Sequence, residues 1–182
     1  MKFLNAIVLC LSLGLATCDF ECFRRATVEC NMKGILERKP EQPVDGREKI
    51  CQDNLLITMC MRDAAVQCNT GFAGVAERVY VAVTNICTEG TETYNATKSD
   101  PKCSLETLTD IDACADEMKK EPKSEPFSDI TEIMRAICRH IDGLKNCMYE
   151  KFEKCTVRTK EAFKYVVEQY AEVQKGICTI LP

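Results

Sequence analysis

The chain has 182 residues, 14 of them cysteine, one histidine and no tryptophan, and a formal net charge of −4. An acidic balance argues against nucleic acid or an anionic membrane as partner, because either would call for a basic face. So many cysteines require cross-links or metal, and a single histidine with no C-x2-C pair argues against metal.

The first eighteen residues have the form of a secretory signal peptide. Lys2 supplies the positive start, Ile7 to Ala16 the apolar stretch, and small residues follow. The stretch is too short to span a bilayer. Cleavage after Ala16 would leave an odd number of cysteines, whereas cleavage after Cys18 leaves twelve, and parity favours the second site. Loss of Lys2 with the leader leaves 23 basic against 28 acidic side chains. The expected location is secreted and extracellular, where disulfides persist.

The twelve remaining cysteines fall into two sets of six. Cys22, Cys30, Cys51, Cys60, Cys68 and Cys87 are separated by 7, 20, 8, 7 and 18 residues. Cys103, Cys114, Cys138, Cys147, Cys155 and Cys178 are separated by 10, 23, 8, 7 and 22. The shared order of gaps and the identical C-x8-C-x7-C centre predict an all-α fold of two tandem disulfide-stapled three-helix modules with six cysteines each. The first module covers 19–87 and the second 103–182, with a polar linker at 88–102. That linker carries the sequon Asn95, Ala96, Thr97, which marks Asn95 as an N-glycosylation site.

Apolar periodicity supports three helices per module: 20–37, 46–69 and 71–87, then 101–120, 129–155 and 159–178. Phe72, Val75, Ala76, Val79, Val83 and Ile86 recur at helical steps before Cys87. Phe163, Val166, Val167, Tyr170, Val173 and Ile177 do so before Cys178, and Ile130, Ile133, Met134, Ile137 and Ile141 follow Ser128. Leu105, Leu108, Ile111, Cys114 and Met118 form another stripe, with Asp100 and Pro101 expected at its N-cap and first turn. Matching proline-bearing breaks, Arg38 to Gly46 and Lys120 to Ser128, separate the first two helices of each module. Gly143 is the main weak point inside an expected helix.

Six cysteines allow fifteen pairings, and helical geometry singles out one. Cys22 and Cys30 stand about 12 Å apart along a helix, as do Cys60 and Cys68. Antiparallel helices would then pair Cys22 with Cys68 and Cys30 with Cys60, leaving Cys51 for Cys87. The corresponding second set is Cys103 with Cys155, Cys114 with Cys147, and Cys138 with Cys178. There the rungs match less well, since Cys103 and Cys114 would be about 16 Å apart on a helix.

No catalytic constellation stands out, and no cofactor is implied. His140, within Cys138–Arg139–His140–Ile141–Asp142, resembles the histidine of secreted phospholipases A2, but their adjacent cysteine pair and glycine-rich calcium loop are missing. There is no G-x-S-x-G elbow for serine catalysis. Asp110, Asp112, Asp116 and Glu117 read as a solvated helix face without a calcium-binding loop. Gly71–Phe72–Ala73–Gly74 reads as a turn into a helix, since it lacks the lysine of a phosphate loop.

Two functions fit such a chain. One is a non-enzymatic structural or protein-interacting component of an extracellular fluid or secretion, with an unidentified extracellular protein as partner. The alternative is an extracellular carrier of a lipid or small hydrophobic ligand, held among Phe72, Val79, Val83, Phe163, Val167 and Tyr170. Insect odorant-binding proteins are six-cysteine helical carriers, but their C-x3-C is absent from both modules. The widely spaced cysteines, amphipathic helices, leader and sequon together give the chain a resemblance to secreted, cysteine-rich, all-helical proteins of arthropods and nematodes, of haemolymph, venom or silk-gland type. That resemblance implies an extracellular, non-enzymatic protein and supplies no site residues.

Overall fold

The computed structural model describes residues 20–37, 46–105, 107, 114 and 130–182. The leader, all but Gly46 of the first proline-bearing break, the whole of the second, and Asp110, Asp112, Asp116 and Glu117 lie outside the described residues. The helices bounded within them are α1 (Phe20–Glu37), α2 (Gly46–Gln67), α3 (Ala73–Cys87), α4 (Glu92–Ser99), α5 (Ile130–Lys151) and α6 (Val157–Ile180). A 3-10 turn, Phe152–Lys154, joins the last two, and no strand occurs among the described residues.

All six disulfides join the partners that helical geometry selects: Cys22–Cys68, Cys30–Cys60, Cys51–Cys87, Cys103–Cys155, Cys114–Cys147 and Cys138–Cys178. Two of them pin α1 to α2 in antiparallel register, and the approach of Gly34 to Leu56 continues that register. Cys51–Cys87 and the Arg62–Glu77 pair at 3.7 Å set α2 antiparallel to α3. Cys138–Cys178 and the Tyr149–Glu168 hydrogen bond do the same for α5 and α6. Between the halves α3 and α6 also run antiparallel, with Phe72 against Gly176 and the Arg78 Nε donating to Gln169 Oε1 at 2.8 Å. The helices therefore neighbour one another in the order α1, α2, α3, α6, α5.

One apolar cluster runs through both halves. Phe72, Ala76, Val79, Val83 and Ile86 meet Phe163, Val166, Val173 and Ile177 in it, and all nine are buried. Val79, Phe163 and Val173 are fully buried, and the rings of Phe23 and Phe72 pack edge to face at 5.2 Å. These are the stripes that the periodicity marks, so their first role is to fill a core.

The helix ends follow local chemistry. Beyond α2, Asn69 adopts a left-handed conformation (φ 49°), the Thr70 N–H reaches the Ala65 carbonyl and the Asn69 N–H that of Val66. This is a Schellman closure, which stops the helix before the expected residue 69. Gly71 and Phe72 form the turn read from the sequence, and α3 begins at Ala73. Gly143 is accommodated without a break in α5.

Two stretches differ from expectation. The segment read as a linker contains α4, which packs against α3 and α6. The helix expected from 101 does not start there: residues 100–105 form bends and turns. The Asp100 carboxylate accepts from the N–H groups of Lys102 and Cys103, so it does act as a cap, but of a turn. The expected helix 129–155 ends at Lys151 and gives way to the 3-10 turn.

Candidate functional site

His140 lies on α5, partly buried, two residues beyond the Cys138–Cys178 bond. Asp142, the carboxylate that would orient it in a hydrolytic site, is exposed and pairs with Lys145 at 4.0 Å and Lys175 at 3.7 Å. No group of His, Cys, Asp and Glu suited to a metal ion occurs among the described residues.

A polar cluster lies on the α5–α6 seam. Tyr149 donates its phenolic proton to Glu168 Oε2 at 2.5 Å, and Lys145 stands 3.4 Å from the same carboxylate oxygen. Burial, reinforced by Glu168, pushes the Tyr149 phenol up to about 12. The Tyr149 hydrogen bond in turn lowers the Glu168 carboxyl. A phenol that holds its proton this firmly is a poor general base, and the cluster is chemically a seam clamp. Burial alone pushes the Tyr170 phenol up.

A second polar joint ties the segment before Cys103 to the start of α6. Asp100 Oδ2 accepts from the Thr156 N–H at 2.9 Å and from the Thr156 hydroxyl at 2.6 Å, where Thr156 is the N-cap residue of α6. Desolvation raises the Asp100 carboxyl, but the hydrogen bonds from Thr156 and Lys102 outweigh it and hold the group well below the usual carboxylate range. Thr159 donates to the Ala96 carbonyl at 3.2 Å and so ties α6 to α4.

The sequon lies on α4. Asn95 is exposed, while Thr97 is buried at 2 % exposure. The Thr97 hydroxyl donates to the Tyr94 carbonyl at 3.1 Å and accepts from Arg47 Nη2 at 2.8 Å. Arg47 Nη2 also donates to the Ile86 carbonyl at 3.1 Å, and its guanidinium stands over the Tyr94 ring at 4.6 Å. Arg47 thus clamps the start of α2 to the end of α3 and to α4. Nothing in the sequence pattern marked Arg47. The signal for α4 was Thr91, whose side chain accepts from the Tyr94 N–H as an N-cap, followed by Glu92 in the first turn.

Two open cavities flank α4. One, of about 350 Å³, lies between α3, α4 and α6, with Ala82, Ile86, Ala162 and Val166 on its apolar side and the Arg158–Glu92 pair, 3.1 Å apart, beside them. The other, of about 640 Å³, is bordered by Asn95, Asp100, Thr156 and Arg158. Of the six residues considered as walls of a ligand pocket, Phe72, Val79, Val83 and Phe163 are buried in the core, with Val167 and Tyr170 packed against it. On α1, Val28, Met32, Ile35 and Leu36 are 50–78 % exposed. Their spacing places them on one face of α1, to one side of the cysteines that bind α2.

No family model, curated protein or solved structure matches the chain.

Proposed function

We propose that the protein is a secreted, non-enzymatic helical scaffold, a structural or protein-interacting component of an extracellular fluid, built from two six-cysteine, three-helix units in tandem. The observation that carries this reading is the disulfide frame: three bonds lie within residues 22–87, three within 103–178, and none joins the two sets. Six such bonds suit an oxidising compartment. The tandem arrangement draws support from the α3–α6 seam. Phe72 precedes Cys87 by fifteen residues, as Phe163 precedes Cys178, and this alignment makes Arg78 equivalent to Gln169. These two residues hydrogen-bond to each other, as residues near a two-fold axis would. The apolar outer face of α1 favours a role in contact with other proteins over an inert one.

The carrier reading draws on the cavity of about 350 Å³ beside α4. Native mass spectrometry of the secreted protein, compared with the same sample denatured, separates the two. A native mass equal to the covalent mass supports the scaffold. A discrete excess of a few hundred daltons that is lost on denaturation, and is distinct from any glycan, would replace the scaffold with the carrier.

A further inference from the structure

Transfer of a glycan to a sequon requires the transferase to hold both the asparagine amide and the free hydroxyl two residues on, in an opened stretch of chain. The folded protein withholds the second group. Thr97 is buried, its hydroxyl is engaged as donor to Tyr94 and as acceptor from Arg47, and the tripeptide lies within α4. The carbonyl of the middle residue, Ala96, is also taken, by Thr159 of α6. Arg47 is held in turn by the Ile86 carbonyl, one residue before Cys87, and Cys87 is bonded to Cys51, one turn beyond Arg47. The bond that closes α2 on α3 therefore also fixes the residue that covers Thr97.

Resting on the reading of the chain as a secretory glycoprotein, we propose that Asn95 accepts its glycan only before α4 docks, and that closure of Cys51–Cys87 with Arg47 seated on Thr97 ends its competence as an acceptor. The donor is a lipid-linked oligosaccharide pyrophosphate. The bond from the sugar C1 to the pyrophosphate oxygen breaks, a bond from C1 to Asn95 Nδ2 forms, the nitrogen gives up one proton, and the lipid pyrophosphate departs. Folding afterwards is unobstructed, because Asn95 is exposed beside an open cavity of about 640 Å³. The folded state accommodates the glycan but acquires it only after opening locally.

The test uses the chain from Asp19 to Pro182, refolded oxidatively without a glycan. It is offered to microsomal oligosaccharyltransferase and its lipid-linked donor, either native and oxidised or fully reduced and alkylated. Modification at Asn95 is read by mass. The unfolded form is expected to be modified at least about tenfold faster, because the native chain must first open locally. The oxidised Arg47→Ala variant, with its six disulfides verified by mass, is expected to regain part of that rate. Equal modification of both wild-type forms would overturn the ordering while leaving Asn95 as an acceptor. Modification of neither would remove Asn95 as an acceptor and overturn the proposal with it.

Discussion

Two glycine-to-alanine substitutions, both within helices, are expected to act in opposite directions. A Cβ on Gly176 of α6 would stand 2.5 Å from Phe72 Cβ and 2.6 Å from its Cγ and Cδ1. Carbon atoms pack at roughly 3.5–4.0 Å, so α6 and Phe72 would have to part by about 1 Å. Phe72 has little freedom to yield, since it is 4 % exposed and its ring packs edge to face on Phe23. Such overpacking costs about 1–3 kcal/mol. A Cβ on Gly143 of α5 meets nothing within 4 Å. Both variants gain about 0.8–1.0 kcal/mol of helix propensity. Gly143→Ala should therefore stabilise by up to about 1 kcal/mol, while Gly176→Ala should range from neutral to about 2 kcal/mol destabilising. Because the propensity gain is common to both, the difference between them isolates the contact. The assay is guanidinium unfolding with disulfides intact, comparing midpoints at equal slope. Equal stabilisation of the two variants would refute the close packing of α3 on α6.

Other consequences can be checked in the same way. Asp100→Asn should lower the melting temperature at neutral pH. Because the folded Asp100 carboxyl is lowered, its contribution is complete above the unfolded value of about 3.9 and declines as pH falls below it, so the gap to wild type should narrow from pH 5 to pH 2. A constant gap would refute the ionic origin of the joint. Asn69→Gly should stabilise by a few tenths to about 1 kcal/mol, because glycine takes the left-handed conformation without steric cost, and unfolding midpoints measure this. Absorbance titration of the phenols should show Tyr149 ionising at about 12, and Tyr149→Phe should remove that step. As the pH rises from the unfolded value near 10, the folded state loses the stability that the protonated Tyr149 contributes.

Helices that bury apolar stripes were legible in the sequence, since Val79, Val83, Phe163 and Val173 recur at the spacing that a core requires. The disulfide pairing was legible for the same geometric reason: seven residues separate Cys22 from Cys30, and seven separate Cys60 from Cys68. The poorer match in the second half has a cause in the backbone. Cys103 lies in a turn capped by Asp100, so helical spacing does not govern its distance from Cys114. The helix α4 escaped the same reasoning because its only buried residue is Thr97, and it is held by Arg47 and Thr159 through polar contacts rather than by an apolar face. Periodicity detects burial of hydrocarbon; it does not detect a guanidinium that stacks on Tyr94 and hydrogen-bonds a hydroxyl fifty residues away.

The two kinds of bonding are distributed unequally, and that bears on durability. Each half is closed by three disulfides, which restrict its unfolded ensemble and stabilise it by about 2–4 kcal/mol per bond, less wherever strain or residual structure intervenes. Among the described residues no disulfide crosses the seam between the halves. The seam rests on the packing of α3 against α6, on Arg78 with Gln169, and on α4, which Thr159 ties to α6 and Arg47 ties to α2 and α3. A hydrogen bond of this sort contributes about 0.5–1.5 kcal/mol, so the polar contacts alone do not match one half's cross-links. What compensates is the continuity of the apolar core through Phe72, Val79, Phe163 and Val173. A chain built this way resists unravelling within each half by covalent closure, and keeps its halves together by burying the faces that each would otherwise leave exposed.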